Sequence, residues 1–215
     1  MTDSTRAVGS LRADAARARL LEAAVAAFAE KGFHGTTTRD IAAAAGMSPA
    51  ALYLHHRSKE ELLFVISRAG HEDTLALVRE GRAATSDPVG QLRTVVNDFA
   101  SHHARNHTST RIVNYELSAL EPGHLAEIQE LRRRIDREMQ DLVREGVEAG
   151  VFQTSQPQVA ATAVLSLSID LARWYQDGGA WTPEEIGELY ADLALRIVGA
   201  TGGPSSDPAR PPSSR

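Results

Sequence analysis

The sequence predicts an all-α protein of about nine helices, with an N-terminal helix-turn-helix domain and a larger C-terminal helical domain. Three observations lead there. Apolar residues recur three and four positions apart along almost the whole chain, the spacing that lines one face of a helix. Ala, Leu, Glu and Arg, which lose little on entering a helix, are abundant. No segment alternates apolar and polar residues long enough to build a strand.

Caps and breakers divide the chain. The first long helix is expected from about Leu11 to Lys31, with Leu21, Ala24, Val25 and Phe28 on one face and Gly32 as its stop. Thr37, with Asp40 three residues on, opens a short helix that ends at Gly46. Ser48-Pro49 opens another, because Ser is a strong N-cap and Pro is pre-set for the first helical position. Ser58-Lys59-Glu60-Glu61 reads as a capping box before a longer helix through Leu62, Leu63 and Ile66. After Asp87-Pro88 come helices carrying Leu92 to Phe99, Ile112 to Leu120, and His124 to Ala149. The last two are expected over 157–176 and 183–199, the second opened by the box Thr182-Pro183-Glu184-Glu185. The Gly-, Pro- and Ser-rich stretch 201–215 reads as a disordered tail.

Composition narrows the chemistry. With no Cys among 215 residues, disulfides, thiolate metal sites and Cys nucleophiles are excluded. No apolar run reaches the length a membrane span requires, and no signal-type segment stands at the N-terminus, so a cytoplasmic protein is expected. No nucleophile elbow, phosphate loop or His-Glu-x-x-His zinc helix is present, so neither an enzyme nor a cofactor is expected. The net charge of −5 is unevenly spread: residues 1–71 hold nine Lys/Arg against seven Asp/Glu. A slightly basic module on an acidic body permits DNA binding without requiring it.

The chemistry-bearing segment is 37–56, two short helices joined by a Gly-containing turn. Ala42 and Ala45 are small enough for the helices to cross closely, and Leu52 is placed to anchor the second to the core. Its outer face then carries Ser48, Ala50, Ala51, Tyr53, Leu54 and His55 toward a major groove. Thr37, Thr38 and Ser48 at the helix openings suit phosphate contacts, and Arg39 and Pro49 complete the candidate DNA-facing set.

These residues, with Ala23-Ala24, Phe28, Lys31-Gly32-Phe33, Thr36-Thr37, Asp40-Ile41-Ala42, Ala45-Gly46-Met47-Ser48, Leu52-Tyr53, His55 and Ser58 to Leu62, resemble the TetR family of bacterial repressors. The resemblance implies a DNA-binding domain over 14–74 and an effector-binding and dimerisation domain over 75–200. It also implies that Tyr53 and Lys59 contact the DNA backbone while residues 48–55 read bases. The partners it implies are a pseudo-palindromic double-stranded operator, a second copy of the chain and a small-molecule effector that releases the repressor. One position departs from the pattern: His56 stands where the family usually has a Phe beneath the recognition helix.

The C-terminal part is less diagnostic. Arg173-Trp174-Tyr175 through Gly178-Gly179 to Thr182-Pro183-Glu184-Glu185-Ile186, with Glu145-Gly146 and Gly150-Val151-Phe152, is similar to regulators of fatty-acid and steroid catabolism. Several of these respond to acyl-CoA thioesters, which implies a small apolar or acyl-CoA-type effector; a metal or a drug-like compound is the alternative. Candidate effector-binding residues are Phe99, His102, His103, Asn114, Tyr115, Glu116, Leu171 and Trp174. His103 and His107, four apart, have a spacing that places two imidazoles on one metal if one helix carries both. His102, His103 and His107 stay open between ordinary packing, pocket lining and metal ligation; no metal site is assigned.

Overall fold

A computed structural model describes the backbone of residues 3–201 and the side chains of residues 13–201. The tail expected over 201–215 lies, but for Thr201, outside the described residues. Among the described residues there are nine α-helices, one 3₁₀ turn and no strand. They are α1 (Asp3–Gly35), α2 (Thr38–Ala44), α3 (Pro49–Tyr53), α4 (Lys59–Ala83), α5 (Pro88–Arg105), α6 (His107–Tyr115), α7 (Pro122–Glu148), α8 (Pro157–Trp174) and α9 (Pro183–Ile197).

The local signals are realised as hydrogen bonds. In α1 the helical backbone breaks at Gly32, with φ at 69°. Thr37 accepts from the Asp40 amide while the Asp40 carboxylate accepts from the Thr37 amide, a complete capping box. Ser48 caps α3 by accepting from the Ala51 amide, with Pro49 in the first turn. The turn between them requires φ of 67° at Gly46, the left-handed region that side chains resist. At α4 the expected box is only half formed. Ser58 accepts from the Glu61 amide, but the Glu61 carboxylate accepts from the Arg57 amide instead of that of Ser58.

Three boundaries differ from the sequence reading. The first helix starts at Asp3 instead of about Leu11. The α4 helix runs on to Ala83, so one uninterrupted rod joins the N-terminal helices to the body. The third helix after the turn motif starts at His107 instead of Ile112, and Leu117–Ala119 tightens into a 3₁₀ turn. Pro122 opens α7 and does not merely end its predecessor, because Pro without an amide hydrogen suits the first turn of a helix.

A continuous core runs from Leu20, Phe28, Ile41, Leu52, Leu62 and Leu63 near the turn motif to Leu92, Ile128, Met139 and Leu142 in the body. A smaller cluster, Ala100, Ala104, Leu171, Tyr175 and Ile186, joins α5 to α8 and α9. The Gly146 to Phe152 motif has a packing reason. The amides of Val151 and Phe152 turn back to the Gly146 carbonyl, each at 3.0 Å. The Phe152 ring lies where a Cβ on residue 146 would be, 2.1 Å from its nearest ring atom.

Candidate nucleic-acid interface and ligand cavity

The α2–turn–α3 unit presents a mostly exposed surface on a rigid base. Leu52 is wholly buried, whereas Tyr53 is 54% and Leu54 84% exposed. Large apolar side chains held in water beside a buried anchor mark a surface that awaits a partner. Arg39, Ser48, Pro49 and Ala50 are exposed, and Thr38, Ala51 and His55 are half-buried at its margins. The hydroxyls of Thr38 and Tyr53 lie 3.1 Å apart and tie the two helices together. Thr37 is exposed, but its amide and hydroxyl both donate to Asp40, at 2.9 and 2.7 Å. Those bonds, more than the nearby Lys31, hold the Asp40 carboxyl down at about 2.

Lys59 stands apart from the other candidates. Its Nζ donates to the carbonyls of Phe33 and Thr36 at 2.7 and 2.8 Å, and sits 4.4 Å from the Phe33 ring centroid. The ammonium therefore satisfies carbonyls just past the α1 break and fixes how α4 leaves the turn motif. Thr36, also buried, donates to Ala27 and Gly32 carbonyls and closes the same corner.

His56 lies directly after this surface. It is only 6% exposed, and neither ring nitrogen has a hydrogen-bond partner. Burial pushes its pKa below the usual histidine value; neighbouring His55 and Arg17 act in the same direction and Glu61 against them. A neutral imidazole thus fills the place where the family usually has an apolar ring.

The second feature is a cavity of about 560 Å³ lined by α1, α4, α5, α6, α7 and α8 and open on one side. Leu21, Val65, Ile66, Phe99, Val113, Ile135, Leu165 and Ile169 supply its apolar wall. Its polar groups include His71, Asp73, Thr74, His102, His103, Thr110, Asn114, Arg132 and Asp136. An apolar chamber of this size with a few polar groups is the usual form of a small-molecule site.

Of the eight effector candidates, Phe99, His102, His103 and Asn114 line the cavity. The other four lie outside it. Leu171 is buried in the small cluster under α9. Glu116 is beside the Gly32 turn. Tyr115 is exposed and its hydroxyl donates to Asp170. Trp174 is 43% exposed and borders a shallow groove with Trp181, Leu189 and Leu193. His71, Thr74, Thr110 and Arg132 were missed. A signal existed in α4, where Ser67, His71 and Thr74 interrupt the apolar stripe running from Leu63 through Leu75 to Val78.

The histidines have distinct settings. His103 stacks on Phe99 with centroids 4.2 Å apart, and its Nδ1 is 3.0 Å from the Phe99 carbonyl. His71 Nδ1 is 2.7 Å from the Ser67 carbonyl. Burial drives their pKa values down to about 3 and about 4 respectively, and that of His102 downward. The metal-type spacing of His103 and His107 is not realised on one helix. The chain breaks at Asn106, and His107 Nδ1 faces the Ala104 carbonyl.

Two sets of contacts fasten α4 to α7, one on each side of the cavity residues. At the start of α4, Glu60 accepts from the Glu121 amide at 2.9 Å and from His124 Nδ1 at 2.8 Å, with the His124 ring stacked on Phe64. Glu121, the N-cap of α7, offers no side-chain cap of its own, so the Glu60 carboxylate takes that role. Near the other end, Arg82 donates to Glu138 and Glu145 of α7 at 2.8 Å each.

Comparison with known proteins agrees with this architecture. Residues 20–66 match the family model described as bacterial regulatory proteins, tetR family. Residues 85–198 match the tetracyclin repressor-like C-terminal domain. The chain is 31% identical over 192 residues to the HTH-type transcriptional repressor KstR2 of Mycobacterium tuberculosis, covering 86% of this chain and 92% of that one. The solved structure of the ketosteroid transcriptional regulator KstR2 from the same organism superposes with a TM-score of 0.78 at 27% identity, over 87% of this chain and 95% of that one. A bacterial regulatory protein in the tetR family from Rhodococcus RHA1 gives a TM-score of 0.81 at 38% identity, over 86% and 98% of the two chains. The buried anchor beneath an exposed α3, the rod that carries it into a hollow helical body, and both family matches lead to one statement: this chain belongs to the TetR family of bacterial transcriptional regulators.

Proposed function

We propose that the protein is a ligand-responsive repressor that binds a pseudo-palindromic operator as a homodimer and is released by a small apolar or acyl-CoA-type effector. The observation that carries the reading is α4. Its first turns bring buried Leu62 and Leu63 into the same core as Leu52, the anchor of the recognition helix, and its next turns line the cavity through Val65, Ile66, His71 and Thr74. A ligand in the cavity therefore touches the rod that aims α3. For release, the ligand must favour a spacing of the two recognition helices that misses successive major grooves, roughly 34–36 Å apart. A ligand with equal affinity for both spacings would shift nothing. The division into a DNA-binding unit over 14–74 and an effector unit over 75–200 goes with this reading, the two sharing α4.

Dimerisation falls to α8, α9 and the turn between them, which leave Leu167, Trp174, Trp181, Leu189 and Leu193 exposed. A set of large apolar side chains in water on adjoining elements is the composition of a subunit interface. The similarity to KstR2, a repressor described by ketosteroid regulation, supports an apolar effector. In an acyl-CoA the acyl part would fill the cavity; Asp73 and Asp136 on its wall oppose the phosphates of the coenzyme. No feature of the chain argues for catalysis. Among the described residues no helix is long and apolar enough to cross a membrane, in keeping with a cytoplasmic regulator.

Native mass spectrometry of the purified protein, followed by operator titration with whatever small molecule co-purifies, tests the reading. An apolar acid or thioester that weakens operator binding supports it. A bound molecule without effect on the operator, or a metal in its place, contradicts it.

A further inference from the structure

With the cavity as the effector site, the chemistry of its polar side chains specifies what the effector carries. A backbone carbonyl can only accept a hydrogen bond. The Nδ1 atoms facing the Ser67 and Phe99 carbonyls, at 2.7 and 3.0 Å, must therefore hold the ring hydrogens of His71 and His103. That fixes the tautomer of each ring and leaves each Nε2 as a lone-pair acceptor. Neither Nε2 has a protein partner, and neither is among the sealed, unpartnered polar atoms of the interior. Both rings line the cavity.

Arg132 adds the complementary chemistry. It lines the same cavity, half-buried, and donates from Nη1 to Asn114 Oδ1 at 3.2 Å. Asn114 is itself held by donating to the Thr110 carbonyl at 3.0 Å. Arg132 forms no ion pair among the described residues. His71, His103 and Arg132 thus line one chamber together, two acceptors and one cationic donor. The guanidinium retains donors for an oxygen.

We infer that the effector bears a hydroxyl close to a carbonyl or carboxylate oxygen at one end of an apolar skeleton. The hydroxyl donates to Nε2 of His71 or His103, and the neighbouring oxygen accepts from Arg132. A plain hydrocarbon acid leaves both imidazole acceptors unmatched. The shared unit is a hydroxyacyl group, which a free hydroxy acid and its thioester both present.

The test uses the full-length protein and isothermal titration with 3-hydroxydecanoic acid, decanoic acid, 3-methoxydecanoic acid and 3-hydroxydecanoyl-CoA. The hydroxy compounds should bind about tenfold more tightly than decanoic acid, the difference one well-formed hydrogen bond supplies. The methyl ether, which cannot donate, should lose that advantage. The acid and thioester arms show which form the site takes. In the double substitution His71→Phe with His103→Phe the hydroxy and plain acids should converge in affinity. Because that variant loses two buried polar groups and gains bulk, nitrogen NMR of the wild-type imidazoles provides a second readout. Addition of 3-hydroxydecanoic acid should shift the Nε2 resonance of His71 or of His103 in the direction of a hydrogen-bond acceptor, with both rings neutral throughout. Equal affinity for hydroxy and plain acids, no binding of any probe, or unmoved Nε2 resonances overturns the hydroxyacyl assignment. Binding that survives Val113→Trp, which fills the cavity, with Nε2 resonances unmoved, overturns the cavity as the effector site.

Discussion

Replacing His56 by Phe should stabilise the protein, and by more in acid than at neutral pH. His56 is 6% exposed with both ring nitrogens unpartnered. A buried polar group without a partner costs about 1–3 kcal/mol relative to one that is satisfied. Phe removes that penalty but adds bulk to a packed site, and overpacking of this kind costs about 1 kcal/mol at its lower end. A net gain of about 1 kcal/mol at pH 7.5 follows, or about 2–4 °C in Tm for a chain of this length. The pH dependence has a definite sign. Because burial lowers the His56 pKa from 6.5 in the folded state, the unfolded chain binds the proton first. Stability owed to a neutral His56 is therefore complete above pH 6.5 and is lost as pH falls toward the folded value. The Phe variant lacks this loss, so its advantage should widen between pH 7.5 and pH 5.5. Urea unfolding of both proteins at the two pH values measures the difference, and subtraction cancels His71 and His103, which titrate in the same direction. A variant less stable than wild type at pH 7.5, or an advantage that does not change with pH, would refute the reasoning.

Three further outcomes follow from named contacts. Glu60→Ala removes the carboxylate that caps α7 and pairs with His124, costing about 1 kcal/mol in thermal or urea unfolding. Because Glu60 raises the His124 pKa, that pair's share of stability is full below pH 6.5 and fades as pH rises through the folded value, opposite in sign to His56. The gap between wild type and variant in urea unfolding should therefore narrow in alkali to the share of the Glu121 amide bond, and a gap that grows there would count against the pairing. Gly146→Ala places a Cβ 2.1 Å from the Phe152 ring and should destabilise by about 1–3 kcal/mol; a neutral effect in calorimetry would mean Phe152 is free to move aside. Leu189→Glu with Leu193→Glu should turn a dimer into a monomer by analytical ultracentrifugation while leaving the helical circular-dichroism signal intact, and a persisting dimer would place the interface elsewhere.

The legible part of the fold was the part written in short-range chemistry. Thr37 with Asp40, Ser48-Pro49 and Thr182 with Glu185 each specify a helix start within four residues, and each is realised by the hydrogen bonds their side chains can make. The exposed face of α3 follows from one buried anchor, Leu52, since fixing it fixes which way Tyr53 and Leu54 point. The cavity was only half legible because it depends on how six helices meet. Phe99 and His103 lie on a stripe that periodicity reveals, whereas Arg132 belongs to the polar side of α7 until α6 brings Asn114 to it. Trp174 shows the opposite error. As an aromatic beside a Gly pair it read as pocket wall, yet α8 ends there and turns the ring outward. Lys59, a DNA contact by resemblance, has its ammonium drawn to the Phe33 and Thr36 carbonyls left open by the end of α1.

Selection of bound sequences from a randomised DNA duplex, with wild type and Tyr53→Ala in parallel, tests operator recognition most directly. Tyr53 is exposed and its hydroxyl is hydrogen-bonded, among the described residues, to Thr38 alone, so the substitution should leave fold and dimer intact. Wild type should enrich a two-fold pseudo-palindrome whose binding weakens as salt rises, and Tyr53→Ala should bind it at least about tenfold more weakly. No enriched sequence from wild type, or a site without two-fold symmetry that Tyr53→Ala binds equally well, would contradict a dimeric repressor reading DNA through α3.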